Sequence, residues 1–151
     1  MFPMISSLDE YRDAKQAVYD CMEALAKKKL PYQQDPHIGI LLEIPSVVEI
    51  IDDLVAESDF LSIGTNDFVL YMLAVDRINR RVTEFYRPDH PSVLRGLARI
   101  SKAAYSQKKD LSICGEMAHE PAYIQFFLGI GVKFSVFIQN FCHPFKKQLA
   151  D

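Results

Sequence analysis

The chain has 151 residues, of which 49% are hydrophobic and 25% charged, with a formal net charge of −3 and a pI near 5.8. These values are typical of one globular domain that is large enough to bury a substantial core. The weak negative charge argues against a broad surface for nucleic acid or acidic lipid, and no apolar run approaches the roughly 20 residues that cross a bilayer.

The apolar pattern predicts strands and helices that alternate along the chain. The segment at 38–42, IGILL, is apolar on both faces, as in a buried parallel strand. Strands are predicted at residues 2–5, 37–43, 60–63, 111–113 and 133–136. Helices are predicted after Ser7, which has Glu10 three positions later as in a capping box, and at residues 45–54, 66–74, 91–104, 121–128 and 144–149. Because the crossovers hold a dozen or more residues, the strands are expected to be parallel.

The cysteines and the amino terminus indicate the compartment. The three cysteines, Cys21, Cys114 and Cys142, are odd in number and lack CxxC spacing, so we expect free thiols in a reducing cytoplasm and no zinc site. The amino-terminal sequence MFPMISSLDEYR has no basic segment and no cleavage-type pattern, so it is not expected to be a signal peptide.

Short polar stretches follow three of the predicted strands. Glu43 follows IGILL, Asn66 and Asp67 follow FLSIGT, and Cys114 follows LSI. Since residues at the carboxyl ends of parallel strands converge on one pocket in a barrel, these side chains are candidates for one site. Five strands are compatible with an open doubly wound sheet or with part of an eight-stranded barrel, and periodicity does not choose between them.

Residue type suggests a role for three of these candidates. Glu43 and Asp67 at neighbouring strand ends can share a hard divalent cation such as Mg²⁺, although a lone acid there is more often a solvated loop residue. Asn66 stands at a predicted helix start, where free backbone N–H groups suit a phosphate oxygen and where the side chain can also serve as a helix cap.

Five motifs in this order resemble one family. They are IGILLEIPS at 38–46, DFLSIGTNDF at 59–68, LAVDRIN at 73–79, HPSVLRGL at 90–97 and SICGEMA at 112–118. With these motifs the chain resembles the C-terminal phosphoenolpyruvate-binding domain of Enzyme I, the phosphoenolpyruvate–protein phosphotransferase of the bacterial sugar phosphotransferase system. The stretches IPSVVEII, LAVDRIN and SICGEMA look closest to its nitrogen-related paralogue.

The resemblance implies an α/β fold in which residues 1–151 form a single, partial (β/α)8 TIM barrel covering its fourth through eighth strands. It places Glu43 and Asp67 as ligands of Mg²⁺, and Asn66, Asp67 and Arg77 as contacts of phosphoenolpyruvate. Cys114 would be the catalytic acid that protonates the enolate carbon as pyruvate forms. The neighbouring Arg80 and Arg81 are expected on the solvent surface, and Glu116 is a candidate for orienting the site.

The resemblance also implies what lies outside this chain. The arginines of the first three barrel strands and the domain with the phosphoryl-accepting histidine are absent, so the isolated chain is expected to be inactive. The four histidines, His37, His90, His119 and His143, are expected in loops or caps. Implied partners are phosphoenolpyruvate, a phosphocarrier protein reached through the absent amino-terminal domains, and a second copy in a homodimer.

Two departures from the family pattern and two alternatives remain. His119-Glu120 stands where the family usually has Gly-Asp, and Ser135-Val136-Phe137 replaces a Ser-Met-Ser or Ser-Met-Asn pattern. One alternative is a relative of pyruvate phosphate dikinase or phosphoenolpyruvate synthase, against which the AVDR and CGEMA motifs argue. The other is a catalytically silent fragment that serves as a dimerisation or interaction module.

Overall fold

The computed structural model describes residues 1–132. The strands are β1 (Gly39–Leu42), β2 (Phe60–Gly64) and β3 (Asp110–Cys114), and the helices are α1 (Leu8–Lys27), α2 (Ile51–Glu57), α3 (Thr65–Leu73), α4 (Pro91–Ser106) and α5 (Pro121–Gly129). Short 3-10 turns occupy Pro45–Val48, Thr83–Phe85 and Glu116–Ala118. The predicted strand at 133–136, the predicted helix at 144–149, and the residues Cys142 and His143 lie outside the described residues.

The three strands form one parallel sheet in the order β1-β2-β3. Leu42 is paired with Ile63, and Gly64 with Cys114, so the carboxyl ends of all three strands lie at the same edge. We call this edge the rim, defined by Glu43, Gly64 and Cys114. The prediction of parallel strands with helical crossovers is confirmed for this part of the chain.

Apolar side chains of the strands and of α2, α3 and α4 build the core. Ile40, Leu42, Leu61 and Ile63 alternate along two paired strands, so they lie on one face of the sheet, and all four are buried. The helices contribute further fully buried side chains: Leu54, Val55, Phe68, Val93, Leu97 and Ile100. This core fixes the strand ends, so the rim stands on rigid elements.

Helix α1 is attached to the sheet through Tyr11. The side chain is fully buried, and its hydroxyl donates a hydrogen bond of 3.0 Å to the carbonyl oxygen of Ile38. Ser7 caps the helix by accepting from the backbone N–H of Glu10, as its sequence position predicts. Among residues 1–132, no helix is both long and apolar enough to cross a membrane.

Two predicted elements differ from the structure. The predicted strand at 2–5 is reduced to a single parallel bridge between Phe2 and Ile40, since Met4 turns the backbone away with a φ of 60°. The predicted helix at 45–54 is interrupted at Ile50, whose φ of −116° and ψ of 21° are not helical. A 3-10 turn therefore precedes α2 as a separate element.

Candidate functional site

The rim brings Glu43 against the end of β2. A Cβ at Gly64 would lie 2.7 Å from Cγ of Glu43 and 2.9 Å from its Oε1, so only glycine leaves room for this carboxyl group. Glu43 is only 6% exposed, and its Oε2 accepts a hydrogen bond of 3.1 Å from the backbone N–H of Met4. The glutamate predicted from the strand end is thus a buried and anchored acid.

The carboxyl groups of Glu43 and Asp67 interact. Burial raises the pKa of Glu43, the Met4 N–H lowers it, and the charge and hydrogen bonding of Asp67 raise it again, with a net raised pKa. Two acids in such proximity suit a shared cation, because a bound charge would relieve their repulsion. Among the described residues, no cluster of three or more Asp, Glu, His or Cys side chains could hold a metal ion.

Cys114 ends β3 close to these acids. Its Sγ donates to the carbonyl oxygen of Ile63 at 3.4 Å and lies 4.0 Å from the hydroxyl of Ser62. Burial raises the pKa of the Cys114 thiol, the Ser62 hydrogen bond lowers it, and the charges of Glu43 and Asp67 raise it further, with a net raised pKa. The thiol is consequently protonated at neutral pH, as a proton donor must be.

Within residues 1–132, the thiol also faces a cavity. Cys114 lines a cavity of about 1280 Å³ that runs along β2 and β3 past Ser62 and Ser112. A small molecule can therefore approach the sulfur from this side.

Asn66 ties two strand ends together. Its Oδ1 accepts a hydrogen bond of 2.9 Å from the backbone N–H of Glu116, and the neighbouring Thr65 hydroxyl donates to the carbonyl oxygen of Cys114 at 3.0 Å. The cap role considered for Asn66 is wrong, because α3 begins one residue earlier and Gly64 occupies the cap position. The Asn66 side chain instead accepts a hydrogen bond from the turn after β3.

Gly115 leaves the space in which Thr65 and Asn66 contact the turn after β3. Its φ is +106°, and a Cβ there would lie 2.3 Å from Oγ1 of Thr65 and 3.0 Å from Oδ1 of Asn66. We expect Gly115→Ala to reduce the free energy of unfolding by about 3 kcal/mol, since backbone strain adds to the steric clash. Urea unfolding followed by circular dichroism measures this difference.

Gly129→Ala is the matched control for Gly115→Ala, because no atom of the described residues lies within 4 Å of a Cβ at that position. Its free energy of unfolding should change by less than about 0.5 kcal/mol. If both variants unfold at the same urea concentration as the unmodified chain, the described geometry of the turn after β3 is wrong.

Arg77 reaches the same turn from the connection between α3 and α4. Its Nη1 lies 2.6 Å from Oε1 of Glu116. Arg80 and Arg81 are exposed, as predicted. The structure therefore separates Arg77 from its two arginine neighbours and places it against the turn after β3.

Tyr86 is a site residue that the sequence does not reveal. Its hydroxyl donates to the carbonyl oxygen of Asn66 at 3.3 Å. Burial raises the pKa of Tyr86, the charge of Glu116 raises it, the charge of Arg77 lowers it, and that of Asp67 raises it, so the phenol lies within electrostatic range of these side chains. The sequence signal is weak, because Tyr86 is one of two adjacent aromatic residues, with Phe85, in a charged connection.

His90 and Cys21 are not among the residues of this group. His90 caps α4 by accepting from the backbone N–H of Ser92, as a cap residue should. Cys21 is a free, exposed thiol on α1. Neither contributes to the rim.

The sequence family described as the phosphoenolpyruvate-binding domain of phosphoenolpyruvate-utilising enzymes matches residues 1–150. The chain belongs to this family. Phosphoenolpyruvate-protein phosphotransferases from Bacillus subtilis and Priestia megaterium are 39% and 41% identical over 132 residues, or 87% of this chain. The chain spans about a quarter (23%) of the length of these relatives.

A solved structure shares the fold. A citrate lyase from Burkholderia xenovorans LB400 superposes with a TM-score of 0.53 at 22% identity, covering 85% of this chain and 47% of that protein. At this identity the likeness concerns the α/β architecture alone.

Proposed function

We propose that this chain is the phosphoenolpyruvate-binding part of a phosphoenolpyruvate–protein phosphotransferase, which transfers a phosphoryl group to a protein histidine and releases pyruvate. The convergence of Glu43, Asp67, Arg77 and Cys114 at one rim carries the proposal, together with the relatives of that name. Residues 1–151 would form one domain that supplies part of a (β/α)8 barrel, and the parallel sheet with helical crossovers supports this architecture.

Each rim residue has a distinct task in this proposal. Glu43 and Asp67 would hold Mg²⁺, which supplies positive charge against the phosphate when it is bound. The guanidinium of Arg77 suits the phosphate oxygens, since its planar fork presents paired N–H donors. The Oδ1 of Asn66 is engaged by Glu116, so the amide nitrogen is available to donate to the substrate.

Cys114 would complete the reaction as a general acid. The bond between phosphorus and the enol oxygen breaks as the phosphoryl group passes to the histidine nitrogen, and the methylene carbon of the resulting enolate takes the thiol proton. The raised pKa of Cys114 keeps that proton in place until charge develops on the carbon.

The same proposal implies the partners, the compartment and the cellular role of the protein. The partners would be a phosphocarrier protein and a second copy of the chain in a homodimer, in the cytoplasm. The resemblance to Enzyme I and to its nitrogen-related paralogue suggests a role in sugar transport or in nitrogen regulation.

A titration of the isotope-labelled chain with phosphoenolpyruvate and Mg²⁺, followed by NMR, tests the proposal. We expect shifts at Asn66, Asp67 and Arg77 with a dissociation constant on the order of 1 mM or weaker, since the chain spans only 23% of its relatives. Arg77→Gln should abolish these shifts, whereas Arg80→Gln, a change of an exposed neighbour, should leave them unchanged.

Three outcomes of this titration would change the proposal. Micromolar binding, or pyruvate formation by the chain alone, would show that no further arginines are needed. Shifts confined to residues away from the rim would remove the substrate assignment and leave an interaction module as the better account.

A further inference from the structure

The location of Arg77 makes it costly to order its side chain when a ligand binds. It lies in the connection between α3 and α4, where most side chains around it are exposed, including Asp76, Ile78 and Asn79. A free arginine side chain samples many rotamers, and ordering it when a ligand binds reduces affinity. An element that holds the guanidinium beforehand would remove part of this cost.

Glu116 is such an element, because it is itself fixed. Its backbone N–H donates to Oδ1 of Asn66 at 2.9 Å, and the residue begins the 3-10 turn Glu116–Ala118 directly after β3. Its Oε1 lies 2.6 Å from Nη1 of Arg77. Glu116 therefore links the flexible side chain of Arg77 to the rigid end of the sheet.

The form of this ion pair leaves Arg77 able to bind an anion. The contact joins one guanidinium nitrogen to one carboxylate oxygen, so the edge formed by Nε and Nη2 is not needed for it. A different ion pair in the chain shows the contrast: Nη1 and Nη2 of Arg99 contact both oxygens of Glu49, at 2.7 and 3.3 Å. The Arg99 pair uses two donors, whereas the Arg77 pair uses one.

We propose that Glu116 is a positioning residue that orients Arg77 for a phosphate oxygen of the substrate. The inference rests on the proposed function for the identity of the anion, but the orientation itself does not depend on it. Both side chains are partly exposed, 37% for Arg77 and 62% for Glu116, so the ion pair contributes little to the stability of the fold. We expect its effect on the mobility of the Arg77 side chain and on the affinity for phosphoenolpyruvate.

The order parameter of the Arg77 Nε–Hε group, measured by NMR relaxation without ligand, tests the positioning directly. In the unmodified chain we expect a value typical of an ordered side chain, and in Glu116→Gln a value below about 0.6. Phosphoenolpyruvate with Mg²⁺ should bind roughly 3- to 10-fold more weakly to Glu116→Gln, the effect of ordering one arginine side chain. Glu116→Asp, which keeps the charge, should recover part of both losses.

Glu49→Gln is the matched control. It removes a carboxylate that is likewise exposed, 73% against 62% for Glu116, and should mobilise Arg99, while the order of Arg77 and the binding of phosphoenolpyruvate stay unchanged. Glu116→Gln retains the backbone N–H that donates a hydrogen bond to Asn66. Unchanged backbone spectra outside the turn would confirm that this variant is folded.

Two results would overturn the inference. If Arg77 keeps its order in Glu116→Gln, Glu116 does not position it. If Glu116→Gln binds phosphoenolpyruvate more tightly, Glu116 competes with the anion for Arg77 rather than orienting it. If the unmodified chain shows no binding at the rim, the proposed function fails, while the order parameters still decide whether Glu116 fixes Arg77.

Discussion

Replacing Cys114 with alanine is expected to stop pyruvate release while phosphoenolpyruvate is still bound. The thiol lies at the rim with a raised pKa, so it carries a proton at neutral pH and can deliver it to the enolate carbon. Loss of a general acid typically lowers the rate by about 10²- to 10⁴-fold. Binding should change little, because the substrate oxygens are assigned to Arg77, Asn66 and the cation.

The measurement needs an active enzyme, and a chimera provides one. This chain can replace the matching 132 residues of the Bacillus subtilis relative, which is 39% identical. Pyruvate release gives the rate, and an NMR titration gives the affinity of each variant. Cys21→Ala, a change of the exposed thiol on α1, should behave like the unmodified chimera. If Cys114→Ala loses affinity in proportion to rate, the residue packs the site and does not donate the proton.

Glu43→Gln is expected to stabilise the fold at neutral pH and to abolish the response to Mg²⁺. Because the folded-state pKa of Glu43 is raised, the native state holds this proton more tightly than the unfolded chain does. Stability is therefore full in acid, below the ordinary glutamate range, and falls as the pH rises through the raised pKa. Glutamine does not titrate, so the variant should gain ~0.5–2 kcal/mol over the unmodified chain at neutral pH and nothing in acid.

Urea unfolding between pH 4 and pH 8, with and without Mg²⁺, measures both effects. The cation should raise the free energy of unfolding of the unmodified chain, since it binds the folded state, and should leave Glu43→Gln unchanged. Glu49→Gln is the control of opposite sign: the hydrogen bond from Arg99 lowers the pKa of Glu49, so its removal gives no gain at neutral pH. A Glu43→Gln variant that is less stable at pH 7 would show that the ionised carboxylate is well paired.

The strands could be predicted because their signal is local and repeated. Continuous apolar runs bounded by polar residues placed strands at 37–43, 60–63 and 111–113, and the structure has them at Gly39–Leu42, Phe60–Gly64 and Asp110–Cys114. The same pattern placed Glu43, Asp67 and Cys114 at strand ends, where the parallel register brings them together.

The features that the sequence does not predict depend on contacts between residues that are far apart in the chain. The hydrogen bond from Glu116 to Asn66 spans 50 positions, and the one from Tyr86 to Asn66 spans 20. No periodicity marks such pairs, so Tyr86 was not predicted and Asn66 was considered for a cap that it does not form. Likewise, the break at Ile50 follows from how the turn after β1 fits the core, which apolar spacing alone does not describe.

The hydrogen bond from the Met4 N–H to Glu43 has a practical consequence. A preparation that lacks Met4, or that carries a purification tag just before these residues, would lose or disturb the donor that keeps the pKa of Glu43 from rising further. Preparations that differ only in their first residues should then differ in metal response, so tags are better placed at the other end of the chain.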